Sequence, residues 1–301
     1  MDGNRLHKDF DTAMKERFGG KVYRLSLSTG CTCPNRDGSI GTGGCIFCSE
    51  GGSGDFAARG TDVRIQIEEA KKRVSSKLTK NFRGYVAYFQ SFTNTYARTE
   101  EEFRALRDQF FTAAMQPEIL AVSIATRPDC LPEKTVQMLA ELNRIKPVWV
   151  ELGLQTIHEK TAGLILRGYS LPVYDRAVWD LKEAGIEVIV HLIIGLPGET
   201  EEMIKETVRH VAQQKVDGVK FQLLQVLSGT RLKEMLDAGS ISVPEYSPEE
   251  YARLLRELAQ MLPEETVIHR FTGDAPKKLL VSPLWTADKK RVLNTISAAF
   301  R

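Results

Sequence analysis

Four of the five cysteines of this 301-residue chain, Cys31, Cys33, Cys45 and Cys48, fall within S-T-G-C-T-C-P-N-R-D-G-S-I-G-T-G-G-C-I-F-C-S-E, residues 28–50. Thiolates at this density bind metal or pair as disulfides. The first residues, M-D-G-N-R-L-H-K-D, are charged and lack the apolar run of a secretory signal, so a reducing, cytoplasmic compartment is expected and metal binding is favoured. Three readings compete. The spacing C-x-C-x11-C-x2-C supplies four ligands for a closed tetrahedral zinc site. A disulfide pair or inert buried thiols is the second. In the third, three cysteines, Cys33, Cys45 and Cys48, hold a four-iron cluster and leave one iron open to a small molecule.

The chain beyond the cysteines helps to choose. A zinc ribbon closes on short hairpins, whereas here the loop leads into about 200 residues of alternating strand and helix patterns. An alternating run Lys21–Ser28 predicts the first strand, and its end delivers the chain into the loop. Further strands are expected at Gly84–Gln90, Leu120–Thr126, Val148–Gln155, Glu187–Ile194 and Gly218–Leu227, with helices between them at about 62–79, 100–114 and 172–184 and one beginning at Glu199-Thr-Glu-Glu. Residues 9–20 read as a short helix closed by Gly19-Gly20. Six strands separated by helices make an incomplete parallel (β/α)6 barrel, with ligands at the carboxyl ends of the strands. From about residue 241 the chain changes character. Tyr246-Ser-Pro-Glu-Glu starts a helix, Val267–Asp274 offers one more strand and loop, and Asp288–Phe300 closes as a helix. We divide the chain into a domain of residues 1–240, with its cysteine loop at 30–50, and an extension of residues 241–301 covering the barrel mouth.

Composition excludes little. The hydrophobic fraction is 42%, the charged fraction 27% and the net charge +2, ordinary for a globular enzyme and neutral toward nucleic acid. No apolar run reaches 18 residues, so no membrane span is expected.

Five blocks in order, C-P-N-R-D-G-S-I-G-T-G-G-C-I-F-C, Y-F-Q-S-F-T-N-T-Y-A at 88–97, T-R-P-D-C-L at 126–131, E-L-G-L-Q-T at 151–156 and H-L-I-I-G-L-P-G-E-T at 191–200, resemble the radical S-adenosylmethionine (SAM) superfamily, and within it the YhcC/YtqA type related to the elongator catalytic subunit. The resemblance runs from about Arg5 to about Lys290. The superfamily's usual spacing is C-x3-C-x2-C; the longer first gap here is that of the YhcC/YtqA type. The resemblance implies a [4Fe-4S] cluster on Cys33, Cys45 and Cys48, with SAM on the open iron. One electron from a donor such as flavodoxin or ferredoxin then cleaves SAM to methionine and a 5′-deoxyadenosyl radical, which takes hydrogen from the substrate. Cys31 stands where the family usually has an apolar residue. Implied SAM contacts are Gln90 and Asn94 past the second strand, Glu151 and Gln155 on the fourth, Arg167 and, by close backbone approach, Gly195.

Each also has a plainer reading. Gln90 and Asn94 suit a turn, Arg167 an exposed helix, His191 a strand core, and Arg127 with Asp129 a surface ion pair. Cys130 reads as a small buried residue. His269, Arg270 and Asp274 either meet substrate or cap the extension. The implied substrate is a tRNA wobble uridine whose 5-carboxymethylaminomethyl side chain becomes 5-aminomethyl, with Lys71, Arg73, Lys220, Lys277, Lys278, Lys289 and Lys290 as candidate phosphate contacts. A radical enzyme acting on a small metabolite or peptide and a zinc-stabilised nucleic-acid-binding protein are the alternatives.

Overall fold

The structure is a computed structural model describing residues 7–52, 57, 58, 60 and 62–300. The charged opening at 1–6, including Arg5, lies outside them. The strands are β1 (Lys21–Leu27), β2 (Phe82–Phe89), β3 (Ile119–Thr126), β4 (Val148–Gln155), β5 (Glu187–Ile194), β6 (Gly218–Leu223), β7 (Val226–Leu227), β8 (Val267–Arg270) and β9 (Leu280–Ser282). The helices are α1 (Phe10–Phe18), α2 (Val63–Val74), α3 (Glu100–Ala114), α4 (Glu133–Asn143), α5 (Glu159–Leu164), α6 (Leu171–Glu183), α7 (Glu201–Gln213), α8 (Arg231–Asp237), α9 (Pro248–Gln260) and α10 (Lys289–Ala299).

Seven strands form one parallel sheet in the order β1-β2-β3-β4-β5-β6-β8, curled into a half-barrel. The expected six become seven because residues 241–301 supply β8, which pairs parallel with β6. The expected sixth strand is also shorter: the chain leaves the sheet after Leu223, and Val226–Leu227 pair antiparallel with β9. Strand β1 and strand β8 remain as the two edges. The outer edge of β8 is partly covered by the segment before α1, where Asp9 bridges Ile268 and the Ile268 amide donates to the Lys8 carbonyl at 2.9 Å.

Successive strand residues point to opposite faces, and here the two faces differ sharply. The outward set, including Leu25, Phe89, Ile124, Leu152, Val190 and Phe221, packs under the helices as the main core. The inward set is layered. Its floor is apolar: Val22, Val86, Ala121, Trp149 and Ile189 meet Phe10 and Met14 of α1, which plugs the bottom of the half-barrel. Asp9 caps α1 by accepting from the Thr12 amide, and Gly19 at φ 76° ends it. One layer higher the inward residues are Arg24, Tyr88, Ser123, Glu151, His191 and Lys220. At the top, a third apolar group of Ile46, Ile165, Ile193, Leu196, Leu224, Val226 and Leu232 seats the cysteine loop on the carboxyl ends of the strands.

Candidate functional site

The cysteine loop leaves β1 at its carboxyl end and is latched by its own motif residues. Between Cys45 and Cys48, Ile46 is buried in the upper apolar group; its amide donates to the Ile165 carbonyl at 3.2 Å and its carbonyl accepts from the Leu232 amide at 2.8 Å. Asn35, buried, donates to the carbonyls of Leu166 at 2.7 Å and Arg167 at 3.2 Å, and its amide nitrogen lies 3.7 Å from Cys45 Sγ. Arg36 donates to the Ser49 carbonyl at 2.6 Å and reaches those of Cys48 and Glu50. Asn35 and Arg36 were missed as individual residues, although both sit inside the cysteine motif.

All five cysteines are free thiols, which removes the disulfide reading. The thiols of Cys45 and Cys48 are hydrogen-bonded to each other; that bond outweighs burial and, with Arg127, Asn35 and Arg36 nearby, brings Cys45 down to about 7. The same bond and burial push Cys48 up, and Cys33 acts on it electrostatically. Cys31 stands apart: it packs against the main core, and burial raises its thiol. Among the described residues no three His, Cys, Asp or Glu side chains converge on a single-ion site.

Backbone strain gathers here. Of the four non-glycine residues with positive φ among the described residues, three lie at this end of the sheet: Phe92 at 55° after β2, Gln155 at 69° at the end of β4, and Leu166 at 57°, whose carbonyl receives Asn35. At Gln155 the pairing with β5 shifts register, and the side-chain amide folds back so that a Cβ on Gly153 would lie 2.7 Å from its Nε2. The Gln155 Oε1 is enclosed with no hydrogen-bond partner among the described residues.

The other sequence-derived candidates fall into two groups. Asn94 is fully buried, and its amide is saturated: it donates to the carbonyls of Phe89 and Ala125 and accepts from the Thr29 amide and hydroxyl. It therefore ties the ends of β2 and β3 to the root of the cysteine loop. Arg167 is not the exposed helix arginine of the plainer reading. It is buried, with Nε donating to the Tyr169 carbonyl at 3.0 Å and Nη1 to those of Thr156 at 2.6 Å and Leu154 at 3.2 Å. Arg127 and Asp129 do form an ion pair, in which the arginine is buried while the aspartate stays at the surface. The guanidinium grips the carboxylate through Nε and Nη2 at 2.9 and 2.7 Å, donates from Nη1 to the Arg167 carbonyl at 2.8 Å, and stacks on Tyr169. Cys130 is buried, as expected. Gly195, at φ 85°, has the Tyr246 ring 3.4 Å from where a Cβ would stand.

Gln90 and Glu151 face the interior. Glu151 is fully enclosed: Oε1 accepts from Ser123 at 2.6 Å, and Oε2 accepts from His191 Nε2 at 2.7 Å and from the Lys220 ammonium. Gln222 donates to His191 Nδ1 at 3.1 Å, which leaves Nε2 of a neutral imidazole carrying the proton. Burial lowers His191 further. Burial would raise Glu151, but Lys220, His191 and Arg24 outweigh it and hold the carboxyl well below its usual range. Lys220 bonds the Tyr88 hydroxyl at 3.2 Å and sits over that ring; burial pulls the ammonium down to about 7 against the attraction of Glu151.

Lys220 is thus no phosphate contact: its side chain has no exposed surface. Lys71 is also withdrawn, paired with Glu68 and Glu118. The interior set was visible as polar residues recurring at every second position of apolar strands, Arg24 with Ser26, Tyr88 with Gln90 and Lys220 with Gln222. Beside Cys48, a cavity of about 140 Å³ is lined by Phe47, Gln222, Gln225, Arg270 and Asp274, so the 241–301 segment does reach the cysteine loop. No helix among the described residues is long and apolar enough to cross a membrane.

Comparison with known proteins places this geometry. Residues 28–211 match the model of the radical SAM superfamily, and residues 216–301 match that of the radical SAM C-terminal domain. The chain is 42% identical to protein YtqA of Bacillus subtilis, covering 94% of this chain and 86% of YtqA. It is 29% identical to a tRNA uridine(34) acetyltransferase of Methanocaldococcus infernus over 62% of this chain and 34% of that protein. Among solved structures, the archaeal Elp3 of Methanocaldococcus infernus with an N-terminal deletion superimposes with a TM-score of 0.64 at 21% identity, covering 90% of this chain and 63% of that one. The chain belongs to the radical SAM superfamily, whose members work with a [4Fe-4S] cluster and SAM, and to the same branch of it as YtqA.

Proposed function

We propose that this radical SAM enzyme carries its cluster on Cys33, Cys45 and Cys48 and modifies the side chain of a tRNA wobble uridine, of the 5-carboxymethylaminomethyl to 5-aminomethyl kind. The observation that carries the cluster assignment is the latched loop: three thiols held over the carboxyl ends of the strands, one of them, Cys45, favoured as thiolate by the hydrogen bond from Cys48 and, to a lesser degree, by Arg127, Asn35 and Arg36. Thiolates are the form that ligates iron. The zinc-stabilised module falls with membership of the superfamily.

When bound, the cluster and SAM supply a 5′-deoxyadenosyl radical that abstracts hydrogen. The protein's residues hold and enclose. Gln155, with its unpartnered Oε1, suits a donor such as the SAM amino or ribose groups. Gln90 faces the interior from the end of β2. Asn94 and Arg167 act at one remove, as braces of the strand ends and the loop. Gly195 keeps the backbone beside Tyr246 free of a side chain, as close approach of an adenine requires.

The tRNA reading rests on the similarity to a uridine(34) enzyme and on one basic face. Lys277, Lys289 and Lys290 line an open depression of about 600 Å³ on the C-terminal segment, and Lys289 pairs with Asp274, which lines the cavity beside Cys48. Phosphates laid on this face bring a loop base to the mouth. Flavodoxin or ferredoxin is the class of electron donor in this reading.

The test is an anaerobic incubation of reconstituted protein with SAM, dithionite and bulk tRNA, reading 5′-deoxyadenosine and digested nucleosides together. Deoxyadenosine with a changed wobble uridine is expected. Deoxyadenosine with unaltered nucleosides removes the tRNA substrate, and an intact cluster without deoxyadenosine removes the cysteine assignment's catalytic meaning.

A further inference from the structure

The middle layer of the half-barrel carries more positive than negative charge. Arg24, Lys220 and Arg270 face or border it, whereas Glu151 is the carboxylate within it. Glu151 is committed to Lys220, His191 and Ser123. Arg270 has Asp274 at 3.6 Å, longer than a good hydrogen bond. Asp11 at the rim is bonded to Lys21.

Arg24 is the cation left over. Its Nε is enclosed and donates to nothing, its Nη2 lies 3.2 Å from His269 Nδ1, and its guanidinium is stacked 3.6 Å above the Phe10 ring. His269 supplies no charge, because burial and then Arg24 and Lys220 hold its ring well below the usual histidine range. A planar guanidinium held by stacking, with an unused donor, is preorganised for an oxyanion.

There is room for one. A cavity of about 300 Å³ is lined by Arg24, Ser26, Tyr88, Gln90 and Arg270, on or beside β1, β2 and β8 near the gap in the sheet, and on its α1 side by Asp11, which its ion pair with Lys21 neutralises. Arg270 also lines the cavity beside Cys48, so one side chain borders both spaces. A group anchored at the gap therefore shares a wall with the space beneath the cysteine loop.

We propose that Arg24 and Arg270 form an anion-binding subsite inside the half-barrel that fixes a negatively charged group of the substrate. A carboxylate on the substrate side chain and a phosphate of the RNA backbone both have the required chemistry. The carboxylate assignment rests on the substrate reading above, whereas the anion site itself does not. Lys220 completes the field from behind, through Tyr88, and is not offered as a direct contact.

The test is anaerobic calorimetric titration of the cluster-loaded protein with 5-carboxymethylaminomethyluridine, 5-aminomethyluridine and inorganic phosphate, on wild type, Arg24→Gln, Arg24→Lys and Arg270→Gln. Iron content and thermal melting of each variant check that it is folded. The expected result is at least about tenfold tighter binding of the carboxylate nucleoside than of the aminomethyl one, as a charged hydrogen bond gives, erased in Arg24→Gln and Arg270→Gln and partly kept in Arg24→Lys. Arg24-dependent phosphate binding without preference between the nucleosides keeps the anion site and makes backbone phosphate its occupant. Equal behaviour of wild type and folded Arg24→Gln toward all three ligands overturns the proposal. If tRNA is unchanged by the enzyme while anions still bind through Arg24, the uridine reading falls and the subsite stands.

Discussion

At the scale of single residues, chemistry was legible where a side chain was out of place for its element. The cysteine loop and Glu151 stood out for that reason, since a carboxylate in an apolar strand needs partners. The identity of those partners stayed hidden. Lys220 read as a solvent-facing cation because a strand lysine gives no sign of which face is lined by carboxylate. Cys31 illustrates the reverse: spacing alone could not separate it from Cys33, and its packing against the core does. Single alanine replacements of Cys33, Cys45 and Cys48 are expected to lose the cluster, whereas Cys31→Ala keeps it, read as iron per chain and visible absorbance after anaerobic reconstitution. Iron loss in Cys31→Ala equal to that in the other three would make it a ligand. The Lys220 pair predicts a pH effect. The ammonium titrates near 7 in the folded chain and at the ordinary 10.5 when unfolded. Between those values the unfolded chain holds more protons, so this group makes folding more favourable as pH rises. The contribution of Glu151 changes only in the acid range, below this window. Urea unfolding at about pH 7 and about pH 9 should show a rise for wild type relative to the double variant Lys220→Met with Glu151→Gln. A parallel pH response of the two proteins would refute it.

At the scale of elements, strands and helices followed from periodicity: β4 and β5 run as expected from Val148 to Gln155 and from Glu187 to Ile194, and α3 from Glu100 to Ala114. These segments have clear alternation or clear caps, as at Thr99, which accepts from the Glu102 amide. The short antiparallel pair β7–β9 was not legible, because two- and three-residue strands joined over fifty residues leave no local pattern. Nor was the function of Asn94. In sequence it is one polar residue in a polar turn; in the fold it holds three strand ends. Replacing it with alanine takes the partner from the Phe89 carbonyl and the Thr29 groups in a dry setting, while the Ala125 carbonyl keeps the backbone amide of residue 94 at 3.2 Å, for a loss of about 2–3 kcal/mol. Denaturant unfolding of the apo-protein measures this, and a loss under about 0.5 kcal/mol, the size of an ordinary surface change, would show that the brace is dispensable. Cluster occupancy should fall with it, since Thr29 roots the loop four residues before Cys33.

At the scale of the whole molecule, the curled parallel sheet was foreseeable from the alternation of elements, but its extent was not. The segment from 241 onward reads as an appendage in sequence, and in the fold it supplies a sheet strand, a wall of the cavity beside Cys48 and the basic face. If that face carries tRNA, a triple variant with Lys277, Lys278 and Lys290 changed to glutamate weakens binding of all tRNAs alike. It also makes the slope of log affinity against log salt shallower by about 0.7–0.9 for each phosphate that the variant no longer neutralises. Filter binding across a salt series measures both, and an unchanged slope would place the RNA elsewhere.

The bond between Lys8 and Ile268, with α1 lodged in the floor of the sheet, joins two stretches of chain made far apart in time. During translation, α1 emerges before any strand it plugs, and β8 emerges after nearly nine-tenths of the chain. At roughly 5–20 residues per second, the floor around Phe10 and Met14 is supplied strand by strand as far as Ile189 of β5, and the edge of β6 then stays unpaired until β8 is made. Completion of the half-barrel is therefore an event of chain release. An early stop codon or a ribosomal pause before β8 leaves a sheet open along β6, the state most in need of a chaperone.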